Sequence, residues 1–279
     1  MQCYAKKSLQ NLQNPKLSYT LHFDNYLNHK YQLIMNPLIA KLEEFQTKFD
    51  ISLSKEKRES ELDKLFMDLA KYLMYGGYFH CSKRYDLYIT SVEFYYHEEN
   101  GEIKDPIMYH RNKKKWIKSK KKGQQDENIE YKKDFFDIGT LNPHISGVDI
   151  SFENGNSELK YRASALIRAF VVKGKGVKEP KEDGRSTYVY DYLFDGLSVD
   201  KNNNQLEWKP LEDPEIPMEN LPRAARKNVY EYVSEEIARI NNIDVEKMKY
   251  YDSEYYKTDM LCDRMWRYSR LDSIFKDKI

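Results

Sequence analysis

With 279 residues and a formal net charge of only +1, the chain has no global excess of positive charge, so any surface for polyanions must come from local clustering. Hydrophobic residues at 40%, aromatics at 14% and 24 tyrosines argue against a disordered chain, despite a mean hydropathy of −0.85. Cys3, Cys81 and Cys262 lie far apart and form no CxxC pair, which argues against structural zinc and a disulfide framework and favours a reducing compartment. The opening residues lead to no apolar h-region, and no run approaches the length of a membrane span. The expectation is a soluble, cytoplasmic monomer with no membrane contact.

Residues 1–30 are polar and aromatic without a clear period, and Asn14-Pro15 signals a turn. From Asn36-Pro37, Leu38, Leu42, Phe45 and Phe49 fall at helical spacing. A second helix is predicted over Lys55 to Tyr75, with Leu62, Leu65, Phe66, Leu69 and Leu73 on one face and Gly76-Gly77 as its stop. Residues 1–80 therefore read as a helical part, and 81–279 as an α+β core. Cys81 to Asp86 reads as a connector into a strand, Tyr88 to Tyr96, which is apolar on both faces and so belongs inside a sheet.

Asn100-Gly101 turns the chain. After His110 comes its strongest basic run, with eight cations in twelve positions from Arg111 to Lys122. Such runs are usually solvated, but Arg111, Lys113, Lys114 and Lys115 could neutralise phosphates. Gly123 to Glu130 reads as a flexible tail of that run. Gly139 to His144 reads as a loop, Gly147 to Phe152 as a strand, Glu153-Asn-Gly155 as a hairpin turn, and Ala165 to Val172 as a strand. The glycines of Lys173 to Arg185 lack P-loop order. Ser186 to Phe194 is predicted as a strand, Lys201 to Leu221 as a loop, and Pro222 to Asn241 as a helix. With strands in the middle, helices at both ends and no βαβ alternation, the fold class is α+β, a single mixed or antiparallel curved sheet with flanking helices.

Two strands carry an unexpected charge each. Glu93 sits in the apolar stretch Tyr88 to Tyr96, and Arg168 in Ala165 to Val172. An isolated buried charge is very costly, so the two are expected to pair. The pair could be a structural ion bridge, or an oriented general base in a cleft.

The middle of the chain resembles the alkyladenine (3-methyladenine) DNA glycosylases of the mammalian type. The resemblance is an ordered series of short motifs over less than a third of the chain: Val92-Glu93-Phe94-Tyr95, Asp105 and His110, Gly139-Thr140-Leu141, Val148-Asp149-Ile150, and Leu166-Ile167-Arg168-Ala169. Trp266-Arg267-Tyr268 is a weaker continuation. The resemblance implies a metal-independent glycosylase without a cofactor, acting on DNA. In it Glu93 activates water to attack C1′ of a flipped nucleotide, and Arg168 orients Glu93. Tyr95, His110, His144 and Asp149 would line the base pocket, since the base must leave the stack before it can be cut. Two departures stand out. The segment Asn142 to Gly147 is shorter than in the family and lacks the tyrosine that replaces the flipped base, leaving His144 as its only ring. Asp149 stands where the family has an asparagine, and an acceptor-only carboxylate favours a base presenting an N–H.

Two readings from other classes remain beside it. Asp149, Glu158 and Lys160 spell the acidic pair plus lysine of Mg²⁺-dependent nucleases. A non-catalytic nucleic-acid-binding module is the other.

Overall fold

The computed structural model describes residues 36–81, 84–105, 108, 110–111, 113–117, 127–131, 133–174, 176–194, 206–226 and 264–274. Helices α1 (Asn36–Lys48) and α2 (Lys55–Tyr75) form where the apolar spacing places them. Gly76 ends α2 by donating its N–H to the Tyr72 carbonyl at 2.7 Å. Nine strands make one antiparallel sheet, curled into a half-barrel: β1 (Gly77–Cys81), β2 (Tyr85–Glu98), β5 (Leu141–His144), β6 (Gly147–Ser151), β7 (Tyr161–Gly174), β8 (Glu182–Asp183), β9 (Leu206–Pro210), β10 (Arg223–Ala224) and β11 (Arg267–Ser269). A separate ribbon pairs β3 (Lys113–Ile117) with β4 (Glu127–Tyr131).

The spine of the sheet is the long pairing of β2 with β7. Strands β11 and β10 extend it beyond the C-terminal half of β2, and β6 and β5 extend it beyond β7. Strand β1 joins the N-terminal half of β2 and carries β9 on its outer edge. Along β2, Val92, Phe94 and Tyr96 point to the helices. Phe66 of α2 stacks on Phe94 at 4.5 Å and meets Trp266 edge-on at 5.1 Å, while Phe45 of α1 meets Phe152 edge-on at 4.9 Å. Each fully buried side chain of this kind contributes roughly 1.5–3 kcal/mol. The helices thus share the hydrophobic core of the sheet. A buried ion pair fastens them further: Arg58 of α2 grips Glu98 through Nε at 2.9 Å and Nη2 at 3.1 Å.

Several predicted elements are corrected. The connector predicted over Cys81 to Asp86 is shorter, because Cys81 ends β1 and Tyr85 already opens β2. Leu141 to His144 is a strand rather than a loop, paired with β6 across a tight turn at Ile145-Ser146. Gly147 closes that hairpin at φ +138°, and a Cβ there would meet the Ser186 carbonyl at 2.9 Å. Glu127 to Glu130, read as part of a flexible tail, pairs with the lysine-rich β3.

Ser186 to Phe194 is not a strand. It is a 3₁₀ turn (Ser186–Tyr188) followed by a short helix, α3 (Val189–Phe194). The buried pair Val189 and Leu193 is four residues apart, a helical spacing hidden by the alternating tyrosines. Leu206 to Pro210 within the predicted loop is strand β9, held by the burial of Trp208 against Phe79. Pro222 does not open a helix at once, because Arg223-Ala224 pairs with Tyr268-Arg267. The remainder of that predicted helix, from Lys227, and the polar segment 1–30 lie outside the described residues. No helix among the described residues is long and apolar enough to cross a membrane.

Candidate active site

Alternation along each strand sends one set of side chains to the helices and the other set to the opposite face of the sheet. That opposite face is polar. The register lines up Arg267, Glu93, Leu166, Asp149 and Asn142 in one row across β11, β2, β7, β6 and β5. Glu93 is fully buried in this row.

Arg168 meets Glu93 from the next step of β7. Val92 pairs with Ile167 and Ser91 with Ala169, so Arg168 is the extra residue of a bulge. Bulges re-aim a side chain and recur beside functional sites. The guanidinium donates from Nε to Glu93 Oε2 at 2.9 Å and from Nη2 to Oε1 at 2.8 Å, a fork that fixes the carboxylate plane. Burial works against the charge on Arg168, but Glu93 foremost, with Tyr95 and Asp149, outweighs it and raises the pKa above the usual range. The Tyr95 hydroxyl donates to Glu93 Oε1. Burial first, and the Glu93 charge second, hold that phenol well above its ordinary pKa, so it remains a donor.

Two more arginines complete this centre: Arg226, which no motif pointed to, and Arg267, which stood in the weaker motif without a role. Arg226 lies over the Tyr95 ring at 4.9 Å and donates from Nη1 to buried Asp105. Arg267 stands beside Glu93 in the ladder. Burial lowers its pKa, with the Glu93 charge acting in the opposite sense. Aromatic residues flanking Arg267 on both sides were a legible sign of a strand with one charged face. Arg226 had no such sign.

The remaining predicted pocket residues gather one strand away. Buried His110 lies edge-on to Phe136 at 4.8 Å and contacts Glu153 Oε1 through Nδ1 at 3.1 Å. Its Nε2 faces Asn142 Nδ2, and it is 3.5 Å from Asp149 Oδ2. His144 brings its Nε2 to 3.2 Å from the same oxygen, while its Nδ1 accepts the Ser146 N–H at 3.2 Å. Ser164 donates to Asp149 Oδ2 at 3.3 Å, and Asp149 Oδ1 is buried without a hydrogen-bond partner. These contacts commit the ring nitrogens: Nδ1–H of His110 serves Glu153 and Nε2–H of His144 faces Asp149. Among the described residues no group of three His, Cys, Asp or Glu is set to hold a metal ion.

Asp149, Glu158 and Lys160 are not brought together. Asp149 is buried opposite Leu166, whereas Glu158 and Lys160 are exposed in the connection before β7. Lys160 precedes Leu166 by six positions, about 20 Å along a strand. Arg111 is buried rather than presented to solvent. Lys113, Lys114 and Lys115 lie on β3, and their side chains fall outside the described residues. Burial pushes the Cys81 thiol up to about 12, away from the thiolate form near neutral pH.

The same face carries a pH sensitivity. His97 Nδ1 accepts the Asp105 N–H at 2.9 Å, so that lone pair must stay unprotonated. Burial, with Lys104, Arg111 and Arg162 nearby, drives the His97 pKa down to about 2, so its approach to Glu99 at 3.8 Å is not an ion pair. An unfolded histidine titrates near 6.5, so below that pH the unfolded chain binds the extra proton. Stability from this group is complete above about pH 6.5 and falls as pH drops, by about 1.4 kcal/mol per unit. About 3 kcal/mol should be gone near pH 4.5. His97→Gln, whose amide oxygen can accept the same N–H, should flatten that part of the curve. Urea midpoints across the range check it; equal slopes in both proteins would assign the acid loss to other groups.

The arrangement is thus a buried carboxylate fixed by a bidentate arginine and a phenol, ringed by further arginines, with a histidine–aspartate cluster alongside. No family model, curated protein or solved structure matches this chain.

Proposed function

We propose that this protein hydrolyses an N-glycosidic bond in DNA, with Glu93 as the general base. The observation that supports the reading is the fork from Arg168 to Glu93 at 2.8 and 2.9 Å on a fully buried carboxylate. The base must be positioned before its basicity is useful, and the two-point grip on Glu93 supplies position. In the proposed step Glu93 takes a proton from water, and the water oxygen forms a bond to C1′. The C1′–N bond breaks, and the departing base leaves with the electron pair and is then protonated. Arg168 keeps the carboxylate in plane. Tyr95 serves as a Glu93 donor first, because its hydroxyl is engaged and Arg226 lies over its ring. His110 is enclosed, so in this reading it supports Asp149 and Asn142 rather than touching the base.

The hairpin between β5 and β6 offers an element for the gap a flipped nucleotide leaves. Ile145 at its tip is 90% exposed, unusual for a large apolar side chain. Apolar residues of this kind wedge between base steps. Ile145→Ser is expected to slow base release from duplex DNA several-fold while sparing single strands. Equal slowing on both would remove Ile145 from this role.

The test of the function is release of free base from methylated, hypoxanthine-containing and ethenoadenine-containing DNA, measured in excess EDTA. Release supports the reading. No release from any of the three, in single- or double-stranded form, counts against it.

A further inference from the structure

The buried arginines of this protein divide into two kinds. Arg58 is saturated, with Nε and Nη2 on Glu98 and Nη1 on the Leu53 carbonyl. Arg162 is saturated too, meeting Glu99, Glu153 and the carbonyls of Lys133 and Asp134. Arg226 and Arg267 differ. Nε and Nη2 of Arg226 and Nε of Arg267 are buried with no hydrogen-bond partner. A buried donor left unmade on a charged group is costly, and native structures rarely tolerate it without reason.

Both partly unpaired guanidiniums bear on the same place. Arg226 lies over the Tyr95 ring, and Arg267 is the ladder neighbour of Glu93, which Tyr95 contacts. Around that point Arg168 is paired with Glu93 and Arg226 with Asp105, and Asp149 acts on Arg168 from the same row. Arg267 is buried, while its neighbours Arg168 and Tyr95 are partly exposed, so the centre lies just beneath the surface.

We infer that Arg267 and Arg226 form a phosphate subsite beside the Glu93–Arg168 pair, taking one phosphoryl group of the ligand. The oxygens of a phosphodiester accept from arginine in the fork geometry that carboxylates use, which suits guanidinium N–H groups left without an acceptor. The source is either a strand phosphate or the phosphate of a small phosphorylated molecule. The inference leans on the proposed hydrolysis only for the first source, and its test reads binding rather than base release.

The probes are a fluorescein-labelled single-stranded oligothymidylate and its methylphosphonate analogue, whose linkages are uncharged. Arg267→Gln is expected to weaken the charged probe about tenfold or more and to leave the neutral one unchanged. Arg267→Lys should restore part of the loss. In a second arm, wild type and Arg267→Gln are melted in inorganic phosphate and in chloride at equal ionic strength. A charge-specific loss in the first arm supports a strand phosphate. A phosphate-specific rise in wild-type Tm, absent in the variant, with oligonucleotide binding unchanged, supports a small phosphorylated ligand. Equal losses for both probes, or no effect in either arm, overturn the subsite. If Arg267→Gln does not fold, the wild-type melt decides alone, and no rise in phosphate over chloride overturns it.

Discussion

Glu93→Gln is expected to lower base release by about 10²–10⁴-fold, the range that a positioned general base contributes. The substitution keeps the shape of the side chain and removes the basic oxygen. It also presents an amide to a site built from donors: Arg168 gives two N–H groups and Tyr95 gives a hydroxyl to Glu93. One of these contacts must therefore be lost, and binding is the control that separates chemistry from damage. Oligonucleotide affinity within about threefold of wild type, with release abolished, assigns Glu93 to the chemical step. Release at the wild-type rate would falsify the assignment, whatever happened to binding.

Arg168→Met is expected to destabilise the protein by about 3–5 kcal/mol, the cost of stripping one partner from a buried pair. Glu93 is fully buried, so the loss of its partner leaves its charge poorly compensated. Pairing the change with Glu93→Leu should recover most of the loss, since a well-packed apolar pair often equals a buried ion pair in stability. The double variant should be folded and inactive. Urea denaturation of the two single variants and the double variant measures the coupling. Additive losses in the double variant would show that the two residues do not act as a unit. Recovery of stability without activity would identify a pair retained for chemistry rather than for folding.

The contrast between Glu93–Arg168 and Arg58–Glu98 explains how far residue patterns carried. Glu93 and Arg168 were each conspicuous as the one charge in an apolar strand, and the cost of an unpaired buried charge was enough to match them. Glu98 lay in the same strand, but its partner sat on a helix face crowded with other charges, where nothing distinguished Arg58 from Lys55, Lys57 or Glu59. The bulge that aims Arg168 was not readable, because a bulge belongs to the pairing of two strands and not to either alone. The same limit hid β9: its five residues become a strand only because β1 offers them an edge.

By itself the sequence determined the two N-terminal helices, the long central strands and the expectation that Glu93 would face Arg168, since these rest on local periodicity and on desolvation, which act residue by residue. Tertiary structure alone decided the rest. It folded Ser186 to Phe194 as a turn and helix, because burial of Val189 and Leu193 outweighed the strand preference of the tyrosines. It enclosed His110 and Arg111, and it kept Asp149 away from Lys160. It also brought Arg226 and Arg267, from distant parts of the chain, to Tyr95 and Glu93. Which charges converge depends on strand order and register, and those are set by the packing of the whole sheet rather than by any short stretch of it.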